Sequence, residues 1–199
     1  MTLAELKGNI VRAFARHDVL DKDILHGIEQ GTRRIERLSK HFRQEKFVNF
    51  VLDELSSTQV PDDLITIIDV LMEGRALTRK HIPVFLEGYQ DPFSPPVYTL
   101  FGTQLQVGPP VPGRTVTLRY YAKYPMPADD NSTNALIEWA PEFVEAAALS
   151  YLAGRFEDPR QPMYEDRMMV LGAELKEEVI DQAMATSSQM VLENPYGNF

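Results

Sequence analysis

The sequence predicts an α+β protein, predominantly helical, in which a small antiparallel sheet is inserted between an N-terminal helix pair and a helical C-terminal third. Three observations carry that expectation. Apolar residues recur at helical spacing through the first 45 residues. Alternating and β-branched residues dominate the middle, about 47–124. After that an Ala-rich run and a long apolar stripe restore the helical period.

Each element has its own local reason. Thr2-Leu3-Ala4-Glu5 reads as a capping box, and Leu3, Leu6, Ile10 and Phe14 then share one face of a helix over 2–16. A second helix over 22–45 places Ile24, Ile28, Ile35, Leu38 and Phe42 together. FVNFVL and LITIIDVLM suit a pleated surface; the second follows Val60-Pro61-Asp62-Asp63 and stops at Glu73-Gly74. VYTLFGTQLQVGP reads as a hairpin in which Leu105 and Val107 alternate with Gln104 and Gln106. GPPVPG, 108–113, is a stiff connection. In TVTLRYYAK, Val116, Leu118, Tyr120 and Ala122 take one face, and Thr117, Arg119, Tyr121 and Lys123 the other, until Pro125 and Pro127 end the strand.

The last third is helical over 135–154, where Pro141 suits a first turn and FVEAAALSYLA is apolar almost all round, as a buried helix requires. A helix over 163–185 sets Tyr164, Met168, Leu171, Leu175 and Val179 opposite Glu174, Glu177, Glu178 and Asp181. The expectation is one domain, 1–185, followed by a tail, 186–199, that a partner orders.

Composition narrows the function classes. With 44% hydrophobic and 25% charged residues, the 199-residue chain has an ordinary globular balance. No apolar run approaches the roughly 20 residues of a membrane span, so no membrane partner is expected, and charges in MTLAELKGNIVRAF argue against a signal peptide. Zero cysteines exclude a disulfide framework, a thiolate zinc site and a cysteine nucleophile, and fit a reducing cytoplasm. The charge is lopsided: residues 1–126 sum to +1 and 127–199 to −10. That acidic third is unsuited to DNA or anionic lipid and favours a basic protein partner or plain solubility.

Candidate chemistry is sparse. His17, His26, His41 and His81 show no metal-ligand spacing, and no nucleophile elbow or phosphate-binding glycine motif occurs. Asp62-Asp63, Asp129-Asp130 and Glu177-Glu178 are sequence neighbours whose side chains diverge, so they read as turn, cap or solvated-face residues. Arg33, Arg34, Arg37, Lys40, Arg43 and Lys46 fall within fourteen residues. On one helix Arg33, Arg37 and Lys40 share a face that suits phosphates or an acidic protein surface; a solvated amphipathic face is the plainer alternative.

Laid out in order, these features resemble the head–tail adaptor, or connector, proteins of short-tailed bacteriophages. The resemblance rests on TLAEL opening the helix pair, VPDDL opening a strand, EGRALT as a turn and short strand, and PPVYTLFGTQLQVGPP as a hairpin with a Pro-rich exit. Its most specific part is TVTLRYYAKYPMPADDNSTNALIEWAPEFVEAAALSYLAGRFEDP. There a strand ending Tyr-Tyr-Ala-Lys, a Pro, a loop with Thr133-Asn134 and a Pro-led Ala-rich helix follow one another.

The resemblance implies a structural virion protein and not an enzyme. It implies a ring, expected to be dodecameric, that forms beneath the portal after packaging, extends the DNA channel and supports the tail or nozzle. Implied partners are the portal protein, the tail or nozzle protein and further copies of the chain, with genomic DNA a candidate non-specific contact and no cofactor. The implied location is the virion head–tail junction, and the host cytoplasm before assembly. Met190, Val191, Leu192, Tyr196 and Phe199 are the expected portal anchors of the tail, and the Arg33–Lys46 stripe belongs to the channel or tail interface. Competing readings are a virion-associated cell-wall hydrolase using Glu142 or Glu145 with a distant Asp, and a non-specific DNA-binding protein using the basic helix.

Overall fold

The structure is a computed structural model that describes residues 1–38, 44–88 and 93–190, with side chains described as far as residue 181. Its described elements are six helices and eight strands, an α+β fold in two compact units. Unit 1 is discontinuous in sequence, taking residues up to Phe42 and again from Tyr124; unit 2 is Arg43–Lys123.

Unit 1 is helical: α1 (Leu3–Phe14), α2 (Asp21–Leu38), α4 (Ala135–Trp139), α5 (Pro141–Arg155) and α6 (Gln161–Met190). The capping box at the start of α1 is present in full, Glu5 N–H donating to Thr2 Oγ1 and Thr2 N–H to the Glu5 carboxylate at 2.8 Å. At the far end of α1, Arg160 donates to the carbonyls of Phe14 (2.7 Å) and Ala13 (3.4 Å), and the Tyr164 hydroxyl donates to Ala13 at 3.2 Å. A cation over the last carbonyls of a helix is favourably placed against its dipole. Arg160 is held in turn by Asp158, whose carboxylate it pulls down to about 2.

The core of unit 1 is built around α5, which buries Phe143, Val144, Ala146 through Ser150, Leu152 and Ala153. A helix buried almost all round needs neighbours that come close, and α2 supplies the closest. A Cβ added at Gly31 would stand 2.8 Å from the backbone N of Ala148 and 3.0 Å from the carbonyl carbon of Ala147; one at Gly27 would stand 2.9 Å from Leu152 Cγ. Gly31 therefore presents bare backbone to Ala147 and Ala148 of α5, and Gly27 makes room for the Leu152 side chain. On the other side α6 adds Tyr164 and Met168, with Leu171 and Leu175 packed against the same cluster.

The expected helix over 135–154 is two helices. Ala140 takes φ −136° and ψ 60°, because the residue before a proline is barred from the helical region, and Pro141 then opens α5 without an N–H to satisfy.

Unit 2 holds β1 (Gln44–Val51), β2 (Ser57–Gln59), β3 (Leu64–Met72), β4 (Arg75–Ala76), β5 (Thr78–Arg79), α3 (Ile82–Gly88), β6 (Val97–Phe101), β7 (Gln104–Gly108) and β8 (Thr115–Ala122). One small antiparallel sheet was the expectation; there are two sheets of four strands, in the orders β1-β8-β3-β4 and β2-β7-β6-β5, and the β5–β6 pair is parallel. Leu52, Val70, Val116, Leu118, Tyr120 and Ala122 meet Tyr98, Leu105 and Val107 in one core fed by both sheets. The β3–β4 hairpin turns on Glu73-Gly74, both at positive φ, the geometry a two-residue loop demands and glycine accepts without cost.

Boundaries shift where tertiary pairing overrides local pattern. The helix expected over 22–45 is α2, Asp21–Leu38, and Gln44 and Glu45 already belong to β1, where they pair with Ala122 and Tyr121 of β8. The helix expected over 163–185 runs Gln161–Met190, so residues 186–190 are helical and not tail. Periodicity passed over β2, β5 and α3 because three, two and seven residues are too few to display a period.

The close approach of α2 to α5 makes a specific prediction. Gly31→Ala is expected to cost about 1–3 kcal/mol in chemical denaturation, since the obstructing atoms are backbone and cannot rotate away. Gly8→Ala, where nothing lies within 4 Å of the added carbon, is expected to be neutral or to gain up to about 1 kcal/mol. Equal effects at the two positions would contradict the packing described.

Candidate assembly surfaces

The strand-to-helix junction, residues 117–139, is an internal fastening. In β8 Val116, Leu118, Tyr120 and Ala122 are buried and the alternate residues half-buried, as the alternation predicts. Beyond the strand, the loop Pro127–Thr133 folds on its own side chains: Asp129 accepts from Asn131 N–H at 2.9 Å, and Ser132 Oγ accepts from Asp129 N–H at 3.0 Å. Two loop carbonyls then complete the first turn of α1, Leu3 N–H donating to Ser132 at 3.0 Å and Ala4 N–H to Asp130 at 2.9 Å. Together with the capping box, these bonds satisfy every N–H that the first turn of α1 leaves open.

Side chains support the same loop. Lys7 reaches Asp130 at 2.8 Å and also Asp21, and these bonds, Asp130 first, raise its pKa. Asn134 caps α4 by accepting from Ile137 N–H at 2.9 Å, and its amide donates to the Pro125 carbonyl at the same distance. Asp129 and Asp130 are thus loop residues and Asn134 is the cap.

In unit 2, Asp63 of the VPDDL turn accepts from the Tyr120 hydroxyl at 3.0 Å and from Lys46 Nζ at 2.6 Å. Burial alone would raise the Asp63 carboxyl, but Lys46 and Tyr120 outweigh it and hold it below the usual range. Burial, seconded by the Asp63 hydrogen bond, pushes Tyr120 up to about 12.

The described members of the basic stripe are divided between α2 and β1. Lys46 lies on β1, not on the helix, and is engaged by Asp63. Arg34 donates to Glu165 at 2.6 Å and to Ser150 at 3.3 Å, a clamp from α2 to α5 and α6. Arg33 pairs with Glu29 one turn earlier on α2, at 2.8 Å. Arg37 is exposed at the end of α2, while Lys40 and Arg43 lie outside the described residues. Sequence spacing placed these cations together because it assumed one continuous helix.

The proposed portal anchors Val191, Leu192, Tyr196 and Phe199 also lie outside the described residues. Met190 is the last residue of α6, and its side chain is not described. The carboxylates considered for hydrolysis are on the first turns of α5: Glu142 is exposed, 3.7 Å from Arg167, and Glu145 is half-buried. Among the described residues no group of three or more His, Cys, Asp or Glu is placed to hold a metal ion. His26 rests edge-on against Tyr151 at 5.5 Å. No described helix is long and apolar enough to cross a membrane.

Two exposed features escaped the sequence reading. α3 carries exposed Ile82, Val84 and Leu86 while turning only Phe85 inward. A groove of about 330 Å³ beside α5 and α6 is lined by Pro141, Leu171 and Leu175 with Glu142, Glu174 and Glu178 at its edge. The mixed apolar and charged run RKHIPVFLEG around α3 was visible in the sequence, but nothing local said which residues would face out.

The Asp63–Tyr120–Lys46 group predicts two pH limits for unit 2. Because the folded Asp63 value is lowered, its contribution is present above about pH 4 and is lost as pH falls through that lowered value. Because the folded Tyr120 value is raised, its contribution is present below about pH 10 and is lost as pH rises toward 12. Tyr120→Phe is expected to cost about 1–2 kcal/mol near neutrality and to weaken the alkaline limit, leaving the part supplied by Tyr98, which burial also raises. Thermal melts across pH check both, and an unchanged alkaline limit would contradict the assignment.

No curated protein matches the chain. A protein-family model described as SU10 adaptor protein matches residues 1–191, nearly the whole chain and both of its compact units. The family agrees with the head–tail adaptor resemblance that the β8-to-α5 passage carries. The chain therefore belongs to the SU10 adaptor protein family of phage adaptors.

Proposed function

We propose that the protein is the subunit of a ring that sits beneath the portal of a phage, joins head to tail and continues the DNA channel. The family match carries this reading. Supporting it, several charged side chains hold the fold: Arg160, Arg34, Lys7 and Lys46 all stitch distant segments together. A chain built in this way offers surfaces, not a reaction centre. Adaptor function needs association with other virion proteins, and the portal is the partner proposed on one side, with a tail or nozzle protein on the other. The ring is proposed to be dodecameric, and genomic DNA is proposed to pass through it without base-specific contact.

Portal docking is assigned to the C-terminal residues. Val191, Leu192, Tyr196 and Phe199 are apolar residues within the last nine positions of the sequence, suited to filling pockets on a partner. Since α6 is described to Met190, the informative truncation removes 191–199 and keeps Gln161–Met190. The full chain is expected to co-sediment with purified portal rings, whereas the truncated chain keeps its melting temperature and loses portal binding at least tenfold. Undiminished binding by the truncated chain would refute the tail assignment; no binding by the full chain would refute portal attachment itself.

A further inference from the structure

The groove and α3 have complementary chemistry. The groove in unit 1 has an apolar floor of Pro141, Leu171 and Leu175 and a rim carrying Glu142, Glu174 and Glu178. On the same helix as Glu174, Val170, one turn before it, is 57% exposed. In unit 2, Val84 and Leu86 of α3 are 53% and 59% exposed and Ile82 is 40% exposed. Arg79 and Lys80 immediately precede them, both exposed, and Arg75 on β4 adds a third exposed cation against the single acidic residue of α3, Glu87. Outward-facing apolar side chains at this density mark an interaction surface.

We propose that these surfaces are the two halves of one contact between copies: the Arg79–Leu86 segment of one copy lies in the α5–α6 groove of the next. Ile82, Val84 and Leu86 cover Pro141, Leu171 and Leu175, and Arg79 and Lys80 face Glu174 and its neighbours. The assignment rests on the ring reading given above and names the contact that reading needs. A second copy fits better than other occupants for two reasons. Both halves belong to one chain, and a contact between two different surfaces of identical subunits repeats head to tail until rotation closes it. The acidic rim also disfavours nucleic acid and the chain's own residues 191–199, which contain Glu193 and no base. Glu142 is partly neutralised by Arg167 at 3.7 Å, so the contact rests more on Glu174 and Glu178.

The chain contains no cysteine, so introduced thiols report alone. Full-length chains bearing only Lys80→Cys and chains bearing only Glu174→Cys are mixed at high concentration and oxidised, free and on portal rings. The expected main product joins one of each, in about tenfold excess over products of like chains, and a chain with both substitutions gives a ladder of oligomers. In sedimentation, Lys80→Glu and Glu174→Lys are each expected to weaken self-association severalfold, and the double variant to recover most of it. Rings or oligomers that form without the mixed product would overturn this contact and leave the ring reading standing. Absence of the mixed product with monomers in solution and rings on the portal would overturn it equally. Absence of rings on the portal under every condition would instead overturn the ring reading itself.

Discussion

The fold of unit 1 depends on the backbone-to-backbone approach of α2 and α5. α5 is alanine-rich and buried on nearly every side, so it has little side-chain reach with which to hold a neighbour. The neighbour must come to it, and Gly27 and Gly31 remove the atoms that would prevent this. With α2 in place, Arg34 lies within reach of both Ser150 on α5 and Glu165 on α6. α6 is then fixed along the other side of α5 by Tyr164 and Met168, and the turn before it by Asp158 and Arg160, which close the end of α1. One steric allowance at two glycines precedes the rest.

A β unit of about eighty residues is inserted in the sequence between α2 and the junction. Glu36, buried near the end of α2, accepts the Tyr124 N–H at 2.6 Å, where the chain re-enters unit 1 after β8. The two points at which the insertion leaves and returns are thereby tied within unit 1. Unit 2 has a core of its own, and its strongest polar group, Asp63 with Tyr120 and Lys46, fastens the start of β3 to the ends of β1 and β8. Each unit closes on itself, and what remains on the outside is available for assembly.

Much of this was legible in the sequence, and the rest was hidden for physical reasons. The capping box of α1, the buried run of α5, the hairpin at 97–108 and the alternation of β8 follow from local chemistry, and each is present. The end of α2 was misplaced because charged residues such as Glu45 and Lys46 fit a helix pattern and a strand edge equally well, and pairing with β8 decides between them. The second sheet was missed because its edge strands are two and three residues long and exist only through their partners. Lys46 leaves the helix through the same pairing with β8, while Arg33 and Arg37 keep their one-turn spacing on α2. The groove was out of reach altogether, since Pro141 and Leu175 are thirty-four residues apart and only the packing of α6 on α5 joins them.

Membership of the adaptor family implies association with other virion proteins. The most direct measurement is electron microscopy of the purified chain mixed with its portal. Twelvefold rings of extra density seated on the portal are the predicted result. Portal rings that stay bare, or that carry the chain at scattered positions without closing, would contradict it.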